Sequence, residues 1–145
     1  MTETRRNWLS LLARADAEAL EQLWQATGLV PEYQVLRTPE IGGVMARGRT
    51  GATGAPFNLG EVTVTRCSVQ ITTGEVGHGY VQGRDKAKAS RVAVIDAMLQ
   101  TDAHDRIERD VLEPLRKAES ERRAARSAKA AATKVDFFTM VRGTN

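Results

Sequence analysis

Cysteine is almost absent. Cys67 is the only one, so no disulfide can form within the chain, and nothing in its cysteine usage points to an oxidising compartment. The expected location is the cytoplasm. Histidine is nearly as scarce: His78 and His104 are the only two. Neither stands at metal-ligand spacing from the other or from Cys67, and no nucleophile–histidine–acid triad can be read. The expectation is a chain with no catalytic residue, no metal site and no cofactor of its own. Aromatic residues are few, so the core must be mostly aliphatic. No apolar run is long enough to span a bilayer. Arg5 and Arg6 precede a short apolar run, Trp8–Leu12, but Asp16, Glu18 and Glu21 follow it, which reads as a helix and not as a secretory signal.

A large excess of charge of either sign is also missing from most of the chain. The net charge is +3, yet residues 1–115 hold 13 Lys and Arg against 15 Asp and Glu, and residues 116–145 hold 8 against 3. The body is slightly acidic and the basic excess belongs to the C-terminal segment. Such a segment is either a solvated helix surface or a lure for anionic partners, nucleic acid included.

What is present centres on residues 75–100. Val76, Tyr80 and Val81 stand among glycines and polar residues, as in a strand. Gly83 breaks it, and Asp85 is placed to cap the helix that follows. From Ala87 to Leu99 only Lys88, Ser90, Arg91 and Asp96 interrupt the apolar residues, so this helix should be buried on several sides. Before it, Trp8, Leu11, Leu12 and Ala15 repeat at helical spacing. Leu20, Leu23, Trp24 and Thr27 do so again after Asp16, a candidate cap, with Gly28 and Pro31 ending the run.

Tyr33–Arg37 has strand composition, Pro39 and Gly42-Gly43 predict a turn, and Val44–Thr50 predicts a second strand. Gly51–Pro56 reads as a hairpin loop, since no Gly-Lys-Ser/Thr follows for a phosphate loop. Glu61–Thr72 is the longest strand candidate, and its change of alternation predicts a bulge near Thr65–Arg66, or a strand that leaves one partner for another. Thr73-Gly74 then turns into the strand before Gly83. Four short-linked strands between helices predict an α+β fold with an antiparallel four-stranded meander, flanked by N-terminal and C-terminal helices.

Thr101–Leu115 predicts a short amphipathic helix with Ile107, Val111, Leu112 and Leu115 on one side, kinked or ended by Pro114. Residues 116–134 have high helix propensity and no apolar face. The expected organisation is a single domain over residues 1–115 and a basic helical arm over residues 116–145. The arm ends in an apolar cluster, Val135, Phe137, Phe138, Met140 and Val141. Phe137, Phe138, Met140 and Val141 are candidate partner-binding residues.

The sharpest polar signal is Arg84-Asp85-Lys86. Two cations at a helix N-terminus oppose the helix dipole unless an anion lies near. Arg84, Asp85, Lys86, Lys88 and Arg91 are therefore candidates for an anion site or an interface, with Arg47 and Arg49 added only if the sheet brings them close. Asp96, inside the most apolar helix, is a buried acid of raised pKa, the partner of an arginine, or a residue at the helix's exposed edge.

The segments YVQGRDKAKASRVAVIDAML and VDFFTMVRG resemble those of the PhnG family, the small G subunits of the bacterial carbon–phosphorus lyase system. RRNWLSLLARA, YQVLR, the Gly-rich loop and VTVTRCSVQIT fit as well. The resemblance implies a subunit that acts with H, I and L subunits to displace adenine from MgATP with an alkylphosphonate, giving a ribose 1-phosphonate 5-triphosphate. It also implies a stable core holding two copies each of G, H, I and J, in which the I subunit resembles the nucleosidase and no catalytic residue falls to G. MgATP would be a substrate of the complex. The alternative is a basic-tailed nucleic-acid-binding module, against which the apolar VDFFTMV argues.

Overall fold

The computed structural model describes the backbone of residues 2–49 and 56–143, and the side chains of residues 2–46 and 60–132. The chain runs α1 (Glu3–Arg14), α2 (Ala17–Thr27), β1 (Tyr33–Arg49), β2 (Pro56–Ile71), β3 (Val76–Gln82), α3 (Lys86–Met98), α4 (His104–Ile107), a π-helical turn (Glu108–Leu112) and α5 (Glu113–Gly143). The strands form one antiparallel sheet in the order β1-β2-β3.

The helix boundaries follow their caps. Asp16 accepts from the Ala19 N–H at 3.0 Å, and Asp85 from the Lys88 N–H at 2.9 Å. Gly28 closes α2 at φ 72°, in the left-handed region. α3 is the central helix: Ala89, Val92, Ala93, Val94, Ile95, Asp96 and Ala97 are all buried. It packs on β3 closely enough to exclude a side chain. A Cβ added at Gly77 would lie 2.7 Å from the Ala97 nitrogen, and one added at Gly79 2.8 Å from the Ala89 carbonyl carbon. Alanines at 89, 93 and 97 supply the matching small ridge, four residues apart on one helix face. The core then closes with Trp8, Leu12, Leu20 and Trp24 from α1 and α2, Ile107 from α4, and Val111 and Leu112 from the turn after it.

The expected meander has three strands, not four. Pro39 and Gly42-Gly43 do not turn; β1 runs straight through them. The reason is position. β1 is the edge strand, where a missing N–H costs no ladder bond on the open side. It also carries an extra residue against β2 between Val35 and Arg37, and another between Arg37 and Glu40, so Pro39 sits in an irregular stretch. Gly42 and Gly43 are not among the glycines of positive φ and simply extend. Two bulges lie in β1 and a third adds a residue to β2 between Asn58 and Gly60. None adds a residue to β2 at Thr65–Arg66, where the pairing with β3 is regular, but β2 does leave β3 beyond Val64.

Pro114 does not end the C-terminal helix either. It lacks the N–H that an α-helix would direct to Asp110, and the π-helical turn just before it is where the ladder changes period. Beyond it α5 continues to Gly143, about 46 Å at 1.5 Å per residue. From Ser120 onward its described side chains are exposed.

Candidate functional site

Gly83, at φ 93°, turns the chain from β3 into α3. Its N–H donates to the Thr63 carbonyl at 2.8 Å, and its carbonyl accepts from Thr65 Oγ1 at 2.7 Å. This tie sets the N-terminus of α3 at the sheet's end. The five polar residues read from the sequence divide there. Asp85 is the cap. Lys88 Nζ donates to the Ala13 carbonyl at 2.7 Å, satisfying an acceptor in the last turn of α1. Burial lowers the Lys88 pKa, against the raising pull of Asp85 and Asp16. Arg91 grips Glu21 of α2 with Nε–Oε2 2.8 Å and Nη2–Oε1 2.9 Å, and its guanidinium lies 5.6 Å from the Trp24 ring centroid. That ion pair holds Glu21 below the ordinary carboxylate value, with its hydrogen bond to Arg91 the main cause. Arg84 and Lys86 are exposed.

Asp85, Lys88 and Arg91 line one hollow of about 330 Å³, with Glu21, Leu20, Tyr33 and Ser90. Arg84 and Lys86 lie outside its walls. Arg47 and Arg49 fall at the end of β1, and their side chains lie outside the described residues. So do those of Phe137, Phe138, Met140 and Val141, whose backbone is part of α5.

Asp96 is fully buried and faces an arginine. Its Oδ1 accepts from Arg5 Nε at 3.1 Å and Trp8 Nε1 at 2.8 Å, and its Oδ2 from Arg5 Nη2 and the His78 N–H, each at 2.8 Å. Arg5 Nη2 reaches the Val76 carbonyl as well, at 3.1 Å, and the hydrogen bond to Asp96 raises the Arg5 pKa. Every polar atom of the carboxylate is spent on joining α1, β3 and α3, so its role is to hold those elements together. The histidines are far apart in role. His104 Nδ1 lies 2.8 Å from the Leu99 carbonyl with its ring tilted against Trp8. His78 stands on the outer sheet face, 2.9 Å from Ser68 Oγ. Cys67 is buried. No group of three or more potential metal ligands occurs among the described residues.

The sheet is covered on one face only by the helices that pack on Gly77, Gly79, Cys67 and Val69. Its other face presents cross-strand rows, Arg37–Ser68–His78 and Glu40–Arg66–Tyr80, with the Arg66 guanidinium 5.8 Å from the Tyr80 ring centroid. Beyond Val64, where β3 ends its pairing, β1 and β2 continue as a two-stranded ribbon. Val35, Leu36, Ile41 and Met45 of the edge strand are exposed, Met45 by 53%. The sequence offered no signal for this surface, because the expected turn at Gly42-Gly43 would have folded the ribbon back.

Fold and surface together define a two-layer α+β protein whose polar and apolar residues of interest lie on open faces, not in a deep cleft. The chain belongs to the family of phosphonate metabolism protein PhnG, whose model matches residues 3–143. It is 48% identical over 146 aligned positions to the alpha-D-ribose 1-methylphosphonate 5-triphosphate synthase subunit PhnG of Rhizobium meliloti (strain 1021), an alignment covering 96% of this chain and 89% of that one. The resemblance seen in the sequence is thereby confirmed at the level of the family. No helix among the described residues is long and apolar enough to cross a membrane.

Proposed function

We propose that the chain is an accessory subunit of an alpha-D-ribose 1-methylphosphonate 5-triphosphate synthase in carbon–phosphorus lyase phosphonate catabolism. The observation that carries this reading is the near full-length identity with a relative named as such a subunit. In the proposed reaction the bond from C1′ to adenine in MgATP breaks, a phosphonate oxygen takes C1′, and adenine leaves with a proton. The reading gives this chain no catalytic residue and no cofactor of its own. Its partners are the H, I, J and L subunits, with two copies of each core subunit, and it works in the cytoplasm.

Two surfaces support assembly with other subunits. An isolated two-stranded ribbon is marginal in water, and an uncovered edge strand bearing Ile41 and Met45 is a template for pairing. At the other end, Phe137, Phe138, Met140 and Val141 follow an arm with no apolar face of its own. Burying each large side chain is worth roughly 1.5–3 kcal/mol, and interface cores favour aromatics and Met. Of Arg84, Asp85, Lys86, Lys88 and Arg91, the exposed Arg84 and Lys86 are the candidate anion contact, since Asp85 caps α3 and Lys88 and Arg91 are bonded to Ala13 and Glu21.

The test is co-expression with the genomic neighbours, followed by phosphorus NMR with MgATP and methylphosphonate. The complex should turn over and the isolated chain should not; turnover by the isolated chain at about 1 per second refutes the accessory role. Deleting residues 135–145 should leave the thermal midpoint in place and abolish copurification. Arg84→Ala with Lys86→Ala should lower the activity of an intact complex, and full activity would reduce both to surface charges.

A further inference from the structure

The base of the arm holds a cluster of arginines that the proposed assembly does not use. Arg14 of α1 reaches α5, its Nη2 3.1 Å from Glu119 Oε1 and 3.2 Å from Oε2. Arg123 donates to the same Oε1 at 2.6 Å. The Glu119 side chain is only 16% exposed beneath them. Residues 119, 122, 123 and 126 share one face of a helix, and with Arg14 they line a hollow of about 220 Å³. Four arginines thus line one hollow with a single carboxylate, which is bonded to two of them, Arg14 and Arg123. Glu121, the next acid along, falls on the opposite side of the helix by the same spacing. Arg116 nearby is held by Glu108 and Glu113. Arg122 and Arg126 stand four apart and exposed, a like-charge pair that opposes the helix unless an anion joins it.

We propose that this hollow binds a multiply charged phosphate chain, with Arg14, Arg122, Arg123 and Arg126 as its ligands. Guanidinium forks match phosphate oxygens in pairs and carry a permanent charge. Glu119 holds two of the forks, from two different helices, and an incoming anion must compete with it for them. The volume is below the roughly 300–1,000 Å³ of pockets that enclose a drug-sized molecule, which suits a phosphate chain and not a whole nucleotide. Asn7, Ser10 and Ser120 line a second hollow that shares Arg14, Glu119 and Arg123, so an attached sugar would meet neutral hydrogen-bonding groups. The proposal is independent of the assembly reading, because it concerns the isolated chain.

Calorimetric titration of the full chain with sodium tripolyphosphate, ATP, adenosine and a thymidine oligonucleotide tests it. Tripolyphosphate and ATP should bind with similar, submillimolar affinity, and adenosine should not bind. Arg122→Ala with Arg126→Ala should weaken both about tenfold or more, equivalent to at least ~1.4 kcal/mol, with circular dichroism unchanged. Glu119→Gln should tighten both several-fold by removing the competing carboxylate. Absence of tripolyphosphate binding at millimolar concentration overturns the proposal, as does binding unaffected by the arginine variants or not tightened by Glu119→Gln. Oligonucleotide binding far tighter than tripolyphosphate, and lost in the same variants, would assign the hollow to a nucleic-acid backbone and overturn it equally.

Discussion

Replacing Gly79 by alanine should destabilise this protein sharply, although the residue has an ordinary strand conformation. Alanine in a strand normally helps: it reduces the freedom of the unfolded chain by about 0.4–1 kcal/mol. Here the added Cβ would lie 2.8 Å from the Ala89 carbonyl carbon and closer still to its oxygen, and 3.2 Å from the Ala93 nitrogen. Those atoms are the backbone of α3, and α3 cannot withdraw, because its other sides are buried against α1, α2 and the segment after α4. Overpacking a tight core costs ~1–3 kcal/mol, and an obstacle made of fixed backbone places this site at about 3. Subtracting the unfolded-state gain leaves roughly 2–3 kcal/mol. For a chain of this size that is about 6–12 °C in thermal midpoint. Differential scanning calorimetry reads it directly. Ala89→Gly in the Gly79→Ala background is the control: the clash is with the carbonyl oxygen, so trimming the Ala89 methyl must not rescue. A neutral or stabilised Gly79→Ala, or a rescue by Ala89→Gly, would refute the close-packing argument.

Asp96→Asn should cost about 3–5 kcal/mol, the range for removing one partner of a buried ion pair, because the new amide must face a donor. Arg5→Ala should cost markedly less in that background than in the wild type, and equal costs in a double-mutant cycle would contradict the hub role of Asp96. For Glu21 the sign follows from its lowered pKa: the contribution is complete above the ordinary value of 4.5 and is lost as the pH falls through the folded value. The difference in midpoint between the wild type and Glu21→Gln should therefore be constant near neutrality and shrink in acid; a difference that grows in acid would show that the Arg91 pair is not its source.

Local features were legible in the sequence by itself. Asp16, Asp85 and Gly28 announce helix ends because a cap bonds only to its own first or last turn. The burial of α3 shows in an apolar stretch interrupted only at Lys88, Ser90, Arg91 and Asp96. The division of charge between body and arm needs only counting. Lys88 and Arg91, three residues apart, could be placed near one helical face from spacing alone. The glycines of β3 and the alanines of α3 carried a packing signal too, but it becomes legible only once strand and helix are known to touch.

The rest depended on partners distant in the chain. Pro39 and Gly42-Gly43 have turn chemistry, yet an antiparallel partner in β2 and an open edge let the strand run through them. Pro114 has breaker chemistry, yet the π-helical turn before it accommodates the missing N–H. Asp96 had three readings, and only its burial against Arg5, 91 residues away, chose among them. Lys88 and Arg91 looked free for an anion until α1 and α2 supplied Ala13 and Glu21, 75 and 70 residues away. Arg14 and Glu119 meet across 105 residues. Periodicity and capping are short-range physics and are written locally, whereas the neutralisation of a charge depends on which surfaces the packed core brings together.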